Sequence, residues 1–164
     1  MSRLENIKNK IYTQADLKSA LNVWRLLEKK IVFTNGCFDL LHLGHVDYLS
    51  KAADMGNKLV IGLNSDLSVS ALKGPGRPIS DHISRSVLLA SFSFVDAVVL
   101  FDEPTPLQLI ELVRPDILVK GADYTIDKIV GADIVSQYGG LVNTIEYLNG
   151  YSTSLIEKKI KSNP

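Results

Sequence analysis

Two histidines that follow a short apolar run are the residues of this chain whose types and spacing most directly suggest chemistry. His42 and His45 are three positions apart, so on a helical turn both rings can face one ligand. If the helix begins near Leu43 or Gly44, its free backbone N–H groups point to the same place and favour a phosphate. Gly36 is expected to adopt a backbone conformation closed to other residues, and Gly44 to leave room for a phosphate. The pattern predicts a triphosphate cradle made of hydrogen-bond donors rather than a nucleophile.

Three other interpretations apply to the same segment. A histidine pair can bind a metal, but zinc normally needs more protein ligands, and no spacing rule places His82 or Cys37 nearby. Cys37 with a histidine would be a nucleophilic pair, although a lone cysteine between Gly36 and Phe38 is more often a small packing residue. Both histidines could be structural, but their position after a strand and beside two glycines favours a functional role.

A second group of candidate residues lies in the segment LKGPGRP at positions 72–78. It is not a Walker phosphate-binding loop, because the order of glycine and lysine differs and no serine or threonine follows the lysine. A mobile glycine–proline loop could nevertheless fold over a polyphosphate, with Lys73 as a point charge and Arg77 as a bidentate fork. The alternative is a solvated surface loop.

Two more apolar runs end in polar segments. One is followed by residues 120–124, KGADY, and the other by residues 149–154, NGYSTS. Ser152 has the residue type of a helix N-cap, and its neighbouring hydroxyls with open N–H groups would make a second anion site. The alternative for that segment is an ordinary capped helix.

Five apolar runs alternate with helical patterns, and they set the elements that must position these side chains. The predicted strands are 31–34, 59–63, 97–101, 117–119 and 141–147. The predicted helices between and after them are 46–55, 84–94, 106–113, 131–138 and 152–160. Fully apolar strands that alternate with helices predict a Rossmann-like, doubly wound α/β domain with a parallel sheet of about five strands. Such sheets bind ligands at the carboxyl ends of their strands.

A helical extension is predicted at residues 1–29, before the main domain at residues 30–164. Thr13 is the expected N-cap of its helix, with Asp16 as the acidic partner of a capping box. A stripe at helical spacing is expected to pack on the core and consists of Leu17, Leu21, Trp24 and Leu27. Residues 161–164 are expected to form a frayed tail.

Composition excludes several classes of protein. The 164 residues suit one domain, and 18 basic against 18 acidic residues argue against a general nucleic-acid binder. No apolar run approaches the roughly 20 residues that span a bilayer. The first residues lack the apolar stretch of a secretory signal, so we expect a cytoplasmic location. The single cysteine excludes an intrachain disulfide.

The motifs resemble a known family. Residues 34–39, TNGCFD, and 42–45, HLGH, are similar to the opening motif of cytidylyltransferase-like nucleotidyltransferases. From about residue 10 to 161 the chain resembles the adenylyltransferase domains of bacterial ADP-heptose synthases. The further matching stretches are 64–66, 73–74, 77–78, 119–124 and 150–154.

The resemblance implies a function: AMP passes from ATP to D-glycero-β-D-manno-heptose 1-phosphate in lipopolysaccharide core assembly, and pyrophosphate leaves. It implies that His42, His45 and Lys73 are catalytic. It implies Mg²⁺ held mainly by the triphosphate rather than by protein ligands, and a homodimer. The implied nucleotide-binding residues are Asn35, Gly36, Cys37, Phe38, Gly44, Asp123, Gly150, Tyr151, Ser152, Thr153 and Ser154. The implied sugar-phosphate-binding residues are Asp39 (better viewed as an orienting or structural carboxylate), Arg77, Lys120 and Tyr124.

Two departures from the family pattern bear on the alternatives. Related cytidylyltransferases of polyol and choline phosphates carry an arginine where this chain has Tyr147, which weakens a cytidylyltransferase interpretation. Two-domain ADP-heptose synthases carry a sugar kinase ahead of this domain, so the resemblance implies a separate heptose kinase here. The open alternatives are a cytidylyltransferase acting on a polyol or other small phosphate, and a noncatalytic nucleotide-binding protein with the same fold.

Overall fold

Residues 2–162 are described by a computed structural model of the chain. Within this part, the strands are β1 (Ile11–Tyr12), β2 (Ile31–Gly36), β3 (Lys58–Asn64), β4 (Ala97–Phe101), β5 (Ile117–Gly121) and β6 (Leu141–Ile145). The helices are α1 (Arg3–Lys8), α2 (Gln14–Leu26), α3 (Leu43–Ala53), α4 (Asp66–Lys73), α5 (His82–Ala90), α6 (Leu107–Val113), α7 (Ala132–Gln137) and α8 (Thr153–Ser162), with a short 3-10 helix at Ile126–Lys128.

The strands form one sheet in the order β1-β4-β3-β2-β5-β6, and every neighbouring pair is parallel. From the central β2 the chain crosses to β3 on one side and later to β5 on the other, so the order reverses at β2. This confirms the predicted Rossmann-like, doubly wound fold. About five strands were expected, and the sixth is β1, which pairs with Val98 and Val99. A strand of two residues is too short to be recognised from hydrophobic periodicity.

The apolar core occupies both faces of the sheet, because successive residues of a strand point to opposite sides. In β2, Ile31 and Phe33 pack in the cluster beneath α2, α6 and α7, whereas Val32 packs in the cluster beneath α3 and α5. All three side chains are fully buried, and burying each contributes roughly 1.5–3 kcal/mol. Burial on both faces explains why the strands read as apolar runs without alternation.

Residues before β2 contribute more than a helical extension, since they supply both β1 and core side chains. Thr13 caps α2 as expected, with its side chain accepting from the Asp16 N–H. Leu17 and Leu21 are fully buried. The expectation for Leu27 is wrong: α2 ends at Leu26, and Leu27 is 58% exposed. A domain boundary at residue 30 stays a prediction.

Several element bounds differ from those expected. Helix α3 begins at Leu43 rather than at 46, so it has the early start on which the phosphate argument depends. Helix α5 spans His82–Ala90 rather than 84–94, and β6 ends at Ile145. Helix α4 was not predicted, because DLSVSALK is short and half polar.

The predicted tail at 161–164 lies partly outside the described residues. Lys161 and Ser162 are the last residues of α8, so they are helical rather than frayed, and Asn163 and Pro164 fall outside the description. None of the helices in residues 2–162 has the length and apolar character that crossing a membrane requires.

Candidate active site

A crevice opens between β2 and β5 at the point where the strand order reverses. β2 pairs with β3 along its whole length from Ile31 to Gly36, but it pairs with β5 only at Val32 and Phe33. The last three residues of β2 therefore have no partner on the β5 side. Ligands of doubly wound sheets bind at this kind of switch point, beyond the carboxyl ends of the strands.

Lys120 lies across this crevice. Its ammonium donates to the backbone carbonyl of Asn35 at 3.2 Å and to the Asn35 side-chain oxygen at 3.1 Å. It also lies 5.3 Å from the centroid of the Tyr124 ring. Burial lowers the pKa of Lys120, partly offset by Asp123. Lys120 thus brings a positive charge to the floor of the crevice and joins the ends of two strands.

Most of the predicted site residues line two adjoining clefts. The first has a volume of about 390 Å³, and the second about 430 Å³. Predicted residues in the first are Asn35, Gly36, Cys37, Phe38, Asp39, His45, Lys73, Lys120, Asp123, Tyr124 and Thr153. Predicted residues in the second are His42, Gly44, His45, Gly150, Tyr151, Ser152 and Thr153. The structure brings these residues together, whereas Arg77 and Ser154 line neither cleft.

The two histidines lie at the boundary between the clefts. Their rings are stacked with centroids 3.9 Å apart and 25° between the planes, and Phe38 meets the His45 ring edge-on at 5.3 Å. His42 is the N-cap of α3, but its side chain makes no capping hydrogen bond. Both Nδ1 atoms are buried and have no partner among residues 2–162. Nε2 is therefore the accessible nitrogen of each ring.

Burial keeps the histidines neutral. It lowers the pKa of His42. Burial, followed by the positive charges of His42 and Lys73, lowers the pKa of His45 to about 4. At neutral pH the rings can therefore offer N–H donors rather than two positive charges. The sequence could not distinguish these two states.

Lys73 supplies the nearby positive charge. It is the last residue of α4 rather than part of a mobile loop, and its side chain lines the first cleft. In the described part of the chain its ammonium has no hydrogen-bonded or ion-paired partner. A cation without a partner beside a cleft suits a ligand that carries negative charge.

The two glycines of the motif lie against neighbouring side chains, and the expectation for the Gly36 backbone is wrong. Gly36 has no positive φ; it lies in β2, and a Cβ there would come within 3.0 Å of the Phe38 ring. Phe38 is the residue with the left-handed backbone, at φ 47°. A Cβ on Gly44 would come within 3.0 Å of the His42 ring and 3.2 Å of Tyr151 Cβ. Gly44 therefore leaves room for the His42 ring and Tyr151, and the expectation that it also leaves room for a phosphate stays a prediction.

Cys37 has the environment of a packing residue. Burial raises the pKa of its thiol despite the positive charges of Lys73 and Arg85. A raised pKa means little thiolate at neutral pH, and the thiolate is the nucleophilic form. This supports the packing interpretation over a nucleophilic cysteine–histidine pair.

The last predicted segment begins α8. The Leu155 N–H donates to Ser152 Oγ at 3.2 Å, so Ser152 has the predicted capping role. Gly150 has φ 85°, in the left-handed region that favours glycine. The turn brings Ser152 and Thr153 to the second cleft. The first N–H groups of a helix have no partner within the helix, so the start of α8 can offer donors there.

Asp39 and Arg77 bind each other. Arg77 Nη1 donates to Asp39 Oδ2 at 2.9 Å, and the other Asp39 oxygen accepts the N–H groups of Ile79 and Ser80 at 2.7 and 3.0 Å. Burial raises the pKa of Asp39, but these hydrogen bonds outweigh it and lower the pKa overall. These contacts are those of the orienting or structural carboxylate that was one of the two interpretations of Asp39. Sugar-phosphate binding by either residue stays a prediction.

Arg85 and Tyr147 are structural parts of the site that the sequence analysis did not assign. Arg85 is fully buried and donates to the carbonyls of Cys37, Asn64 and Ser80 and to the carboxylate of Asp66. It thereby ties the ends of β2 and β3 together. An arginine on an amphipathic helix gives no sequence signal for such a role.

Tyr147 lines both clefts, and its hydroxyl interacts with Asp123. A Cβ on Gly121 would lie 2.0 Å from the Tyr147 hydroxyl, so the phenol occupies the space that the glycine leaves. One sequence signal pointed to Tyr147, which is that related cytidylyltransferases carry an arginine at this position. In the described residues, no group of three histidine, cysteine, aspartate or glutamate side chains is placed to hold a metal ion.

Comparison with known proteins identifies the family. The profile of the cytidylyltransferase-like family matches residues 33–159. Bifunctional protein HldE of Syntrophotalea carbinolica is 53% identical over 152 residues, which are 93% of this chain and 31% of that protein. Bifunctional protein HldE of Paramagnetospirillum magneticum is 55% identical over 140 residues, which are 85% of this chain and 29% of that protein. The chain spans about a third of the length of these curated relatives.

Solved structures agree with this assignment. The lipopolysaccharide core biosynthesis protein of Thermoplasma volcanium superposes with a TM-score of 0.58 and 30% identity, covering 76% of this chain and 99% of that one. A pantoate–β-alanine ligase of Francisella tularensis has a TM-score of 0.63 at 14% identity, covering 92% and 76%, so it shares the fold alone. The resemblance inferred from the motifs is confirmed. The profile match and these relatives together show that the chain belongs to the cytidylyltransferase-like family.

Proposed function

We propose that this chain transfers AMP from ATP to D-glycero-β-D-manno-heptose 1-phosphate and releases ADP-heptose and pyrophosphate. The observation that carries the proposal is the stacked pair His42 and His45 beside Lys73, at the switch point of the sheet. The names of its relatives support it, since one is a bifunctional protein HldE and another a lipopolysaccharide core biosynthesis protein.

In the proposed reaction, a phosphate oxygen of the sugar phosphate attacks the α-phosphorus of ATP in line. The new P–O bond forms while the bond from the α-phosphorus to the bridging oxygen breaks, and pyrophosphate leaves with that electron pair. The attacking oxygen is already anionic, so the step needs no general base. The protein contributes mainly by positioning the reactants and stabilising charge.

Each group of the site has a role in this proposal. The Nε2–H groups of His42 and His45 donate to phosphate oxygens whose charge grows as pyrophosphate leaves. The ammonium of Lys73 pairs with the same polyanion. Ser152 and Thr153, at the start of α8, offer hydroxyl and N–H donors to the triphosphate. Asp123 and Lys120 both line the first cleft. In this proposal Asp123 contacts the nucleotide and Lys120 contacts the sugar phosphate.

Mg²⁺ enters this proposal as part of the substrate, bound to the triphosphate. Among the described residues, no three histidine, cysteine, aspartate or glutamate side chains are grouped to bind it. When bound, it would neutralise part of the phosphate charge.

A panel of substrates tests the proposal. Pyrophosphate release is measured for ATP, CTP, GTP and UTP, each with heptose 1-phosphate, glucose 1-phosphate and glycerol 3-phosphate. The expected result is the highest kcat/KM for ATP with the heptose phosphate. Preference for CTP with glycerol phosphate would support a cytidylyltransferase instead. Tight ATP binding without pyrophosphate release from any acceptor would support a noncatalytic nucleotide-binding protein.

A further inference from the structure

Helix α8 carries part of the proposed triphosphate site but is poorly anchored by packing. None of its residues from Thr153 to Ser162 is buried. In the described part of the chain, Ser152 at the start of the helix accepts the N–H groups of Leu155 and Ile156, and one polar contact joins the helix to a distant segment, the ion pair of Glu157 with Arg77. We therefore expect that ion pair to hold the start of the helix against the rest of the protein.

Arg77 is itself held by a buried carboxylate. Its Nη1 lies 2.9 Å from Asp39 Oδ2, and the Asp39 side chain has no exposed surface. The Ile79 and Ser80 N–H groups hold the other Asp39 oxygen. The side chains of Arg77 and Glu157 are only 22% and 21% exposed, so solvent screens the pair incompletely. We call Asp39, Arg77 and Glu157 the carboxylate–arginine strap.

Each member of the strap lies a short distance along the chain from a group of the proposed site. Asp39 precedes His42 by three residues, Arg77 follows Lys73 by four, and Glu157 follows Thr153 by four, about one helical turn. His42, Lys73 and Thr153 all line the clefts. The strap therefore joins the three chain segments that carry the proposed donors.

We propose that Arg77 and Glu157 are positioning residues for the triphosphate, and that Arg77 acts through the strap rather than by binding the sugar phosphate. This inference rests on the proposed function, because it assumes that the triphosphate lies between His42, Lys73 and the first turn of α8. Arg77 lines neither cleft, which accords with an indirect role.

The direction in which Glu157→Gln changes ATP affinity distinguishes a positioning role from a purely electrostatic effect. Glu157→Gln removes a negative charge near a polyanion site, so electrostatics alone would tighten ATP binding. Loss of the strap would instead weaken it, because the first turn of α8 is no longer held in place. We expect ATP affinity to fall about tenfold, while kcat at saturating ATP stays within about twofold because Glu157 touches no reacting atom.

The matched control is Lys158→Gln, which removes a positive charge from the next side chain of the same helix. Electrostatics alone would weaken ATP binding slightly in this control and tighten it in Glu157→Gln, so the proposal requires Glu157→Gln to weaken binding more than Lys158→Gln does. Arg77→Gln should weaken ATP binding more than Glu157→Gln does, since it also leaves Asp39 without its cation. The double variant should be no weaker than Arg77→Gln alone, because both changes break one connection. Calorimetry with MgATP measures affinity, and thermal unfolding monitors the fold. Unchanged or tighter ATP binding by Glu157→Gln would overturn the proposal.

Hydrogen exchange provides a measurement that does not depend on the proposed reaction. In Glu157→Gln, without nucleotide, the amides of residues 153–162 should exchange faster than in Lys158→Gln, with the sheet unchanged. Equal exchange in the two variants would overturn the strap even if ATP binding changed. Faster exchange in Glu157→Gln, together with a wild-type protein that neither binds ATP nor releases pyrophosphate, would retain the strap and reject the proposed function.

Discussion

The imidazole rings of His42 and His45 stack at a centroid distance of 3.9 Å. Two protonated rings at this separation would repel each other in a partly buried site, where charge is poorly screened. Burial and the neighbouring charges of His42 and Lys73 hold the pKa of His45 near 4. The stacked geometry therefore favours neutral donors over a pair of imidazolium ions.

Protein stability should depend on pH through His45. The folded-state pKa of about 4 lies below the model-peptide value of 6.5, so the unfolded chain binds the proton more readily. The stability that the neutral ring contributes is complete above pH 6.5 and is lost as pH falls from 6.5 through 4. Urea unfolding at several pH values should show a free-energy difference between wild type and His45→Gln that changes only in this window. A constant difference from pH 7.5 to 4 would contradict the assignment.

Turnover should depend on both rings but not on the third histidine. We expect His42→Ala and His45→Ala each to lower kcat by about 10²–10³-fold, the usual effect of removing one donor to a charged transition state, with the fold intact. His82→Ala is the control, because its ring pairs with Asp66 outside both clefts. Pyrophosphate release measures the effect. Wild-type turnover in either cleft variant would remove the histidines from the mechanism.

The buried guanidinium of Arg85 should dominate the stability of the strand ends. Arg85→Met leaves the carbonyls of Cys37 and Asn64 and the Asp66 carboxylate without their donor. We expect a loss of about 3 kcal/mol or more in the free energy of unfolding. Arg85→Lys should recover little, because one ammonium cannot reproduce the planar array of donors. Urea unfolding measures both variants, and a loss below about 1 kcal/mol would contradict this role.

Gly121 should tolerate no side chain while Tyr147 is present. In Gly121→Ala the new methyl would overlap the Tyr147 phenol, and we expect a loss of about 1–3 kcal/mol from overpacking. Adding Tyr147→Ala removes the overlapping ring, so the double variant should be less destabilised than the sum of the single variants. Thermal unfolding of the four proteins checks this. Strict additivity would show that the two residues do not share this space.

The sheet and the main site were predictable because their sequence signals are local. Apolar runs bounded by polar residues identified five strands, and the spacing of His42 and His45 predicted that the two rings lie side by side, as they do. The capping roles of Thr13 and Ser152 also follow from residue type. These features depend on neighbours in the chain, which the sequence displays directly.

The features that were missed depend on residues distant in the chain. Arg85 lies 48 residues after Cys37, and Glu157 lies 80 residues after Arg77. Nothing local marks these contacts, and an isolated charged residue on a helix is usually solvated. The expectation for Gly36 was wrong for the same reason, because the ring of Phe38, folded back against the strand, decides the need for glycine there. Helix α4 was missed because it is only eight residues long and half of those residues are polar, so its hydrophobic periodicity is weak.

The two-residue strand β1 covers one side of β4, whose sequence is AVVLF. Without β1, this run of five apolar residues would present unpaired backbone N–H and C=O groups at the margin of the sheet. Short uncharged segments of this kind are templates for β-aggregation between copies of a chain. By covering Val98 and Val99, the smallest strand of the fold is expected to lower the tendency of this run to pair with another copy of the chain.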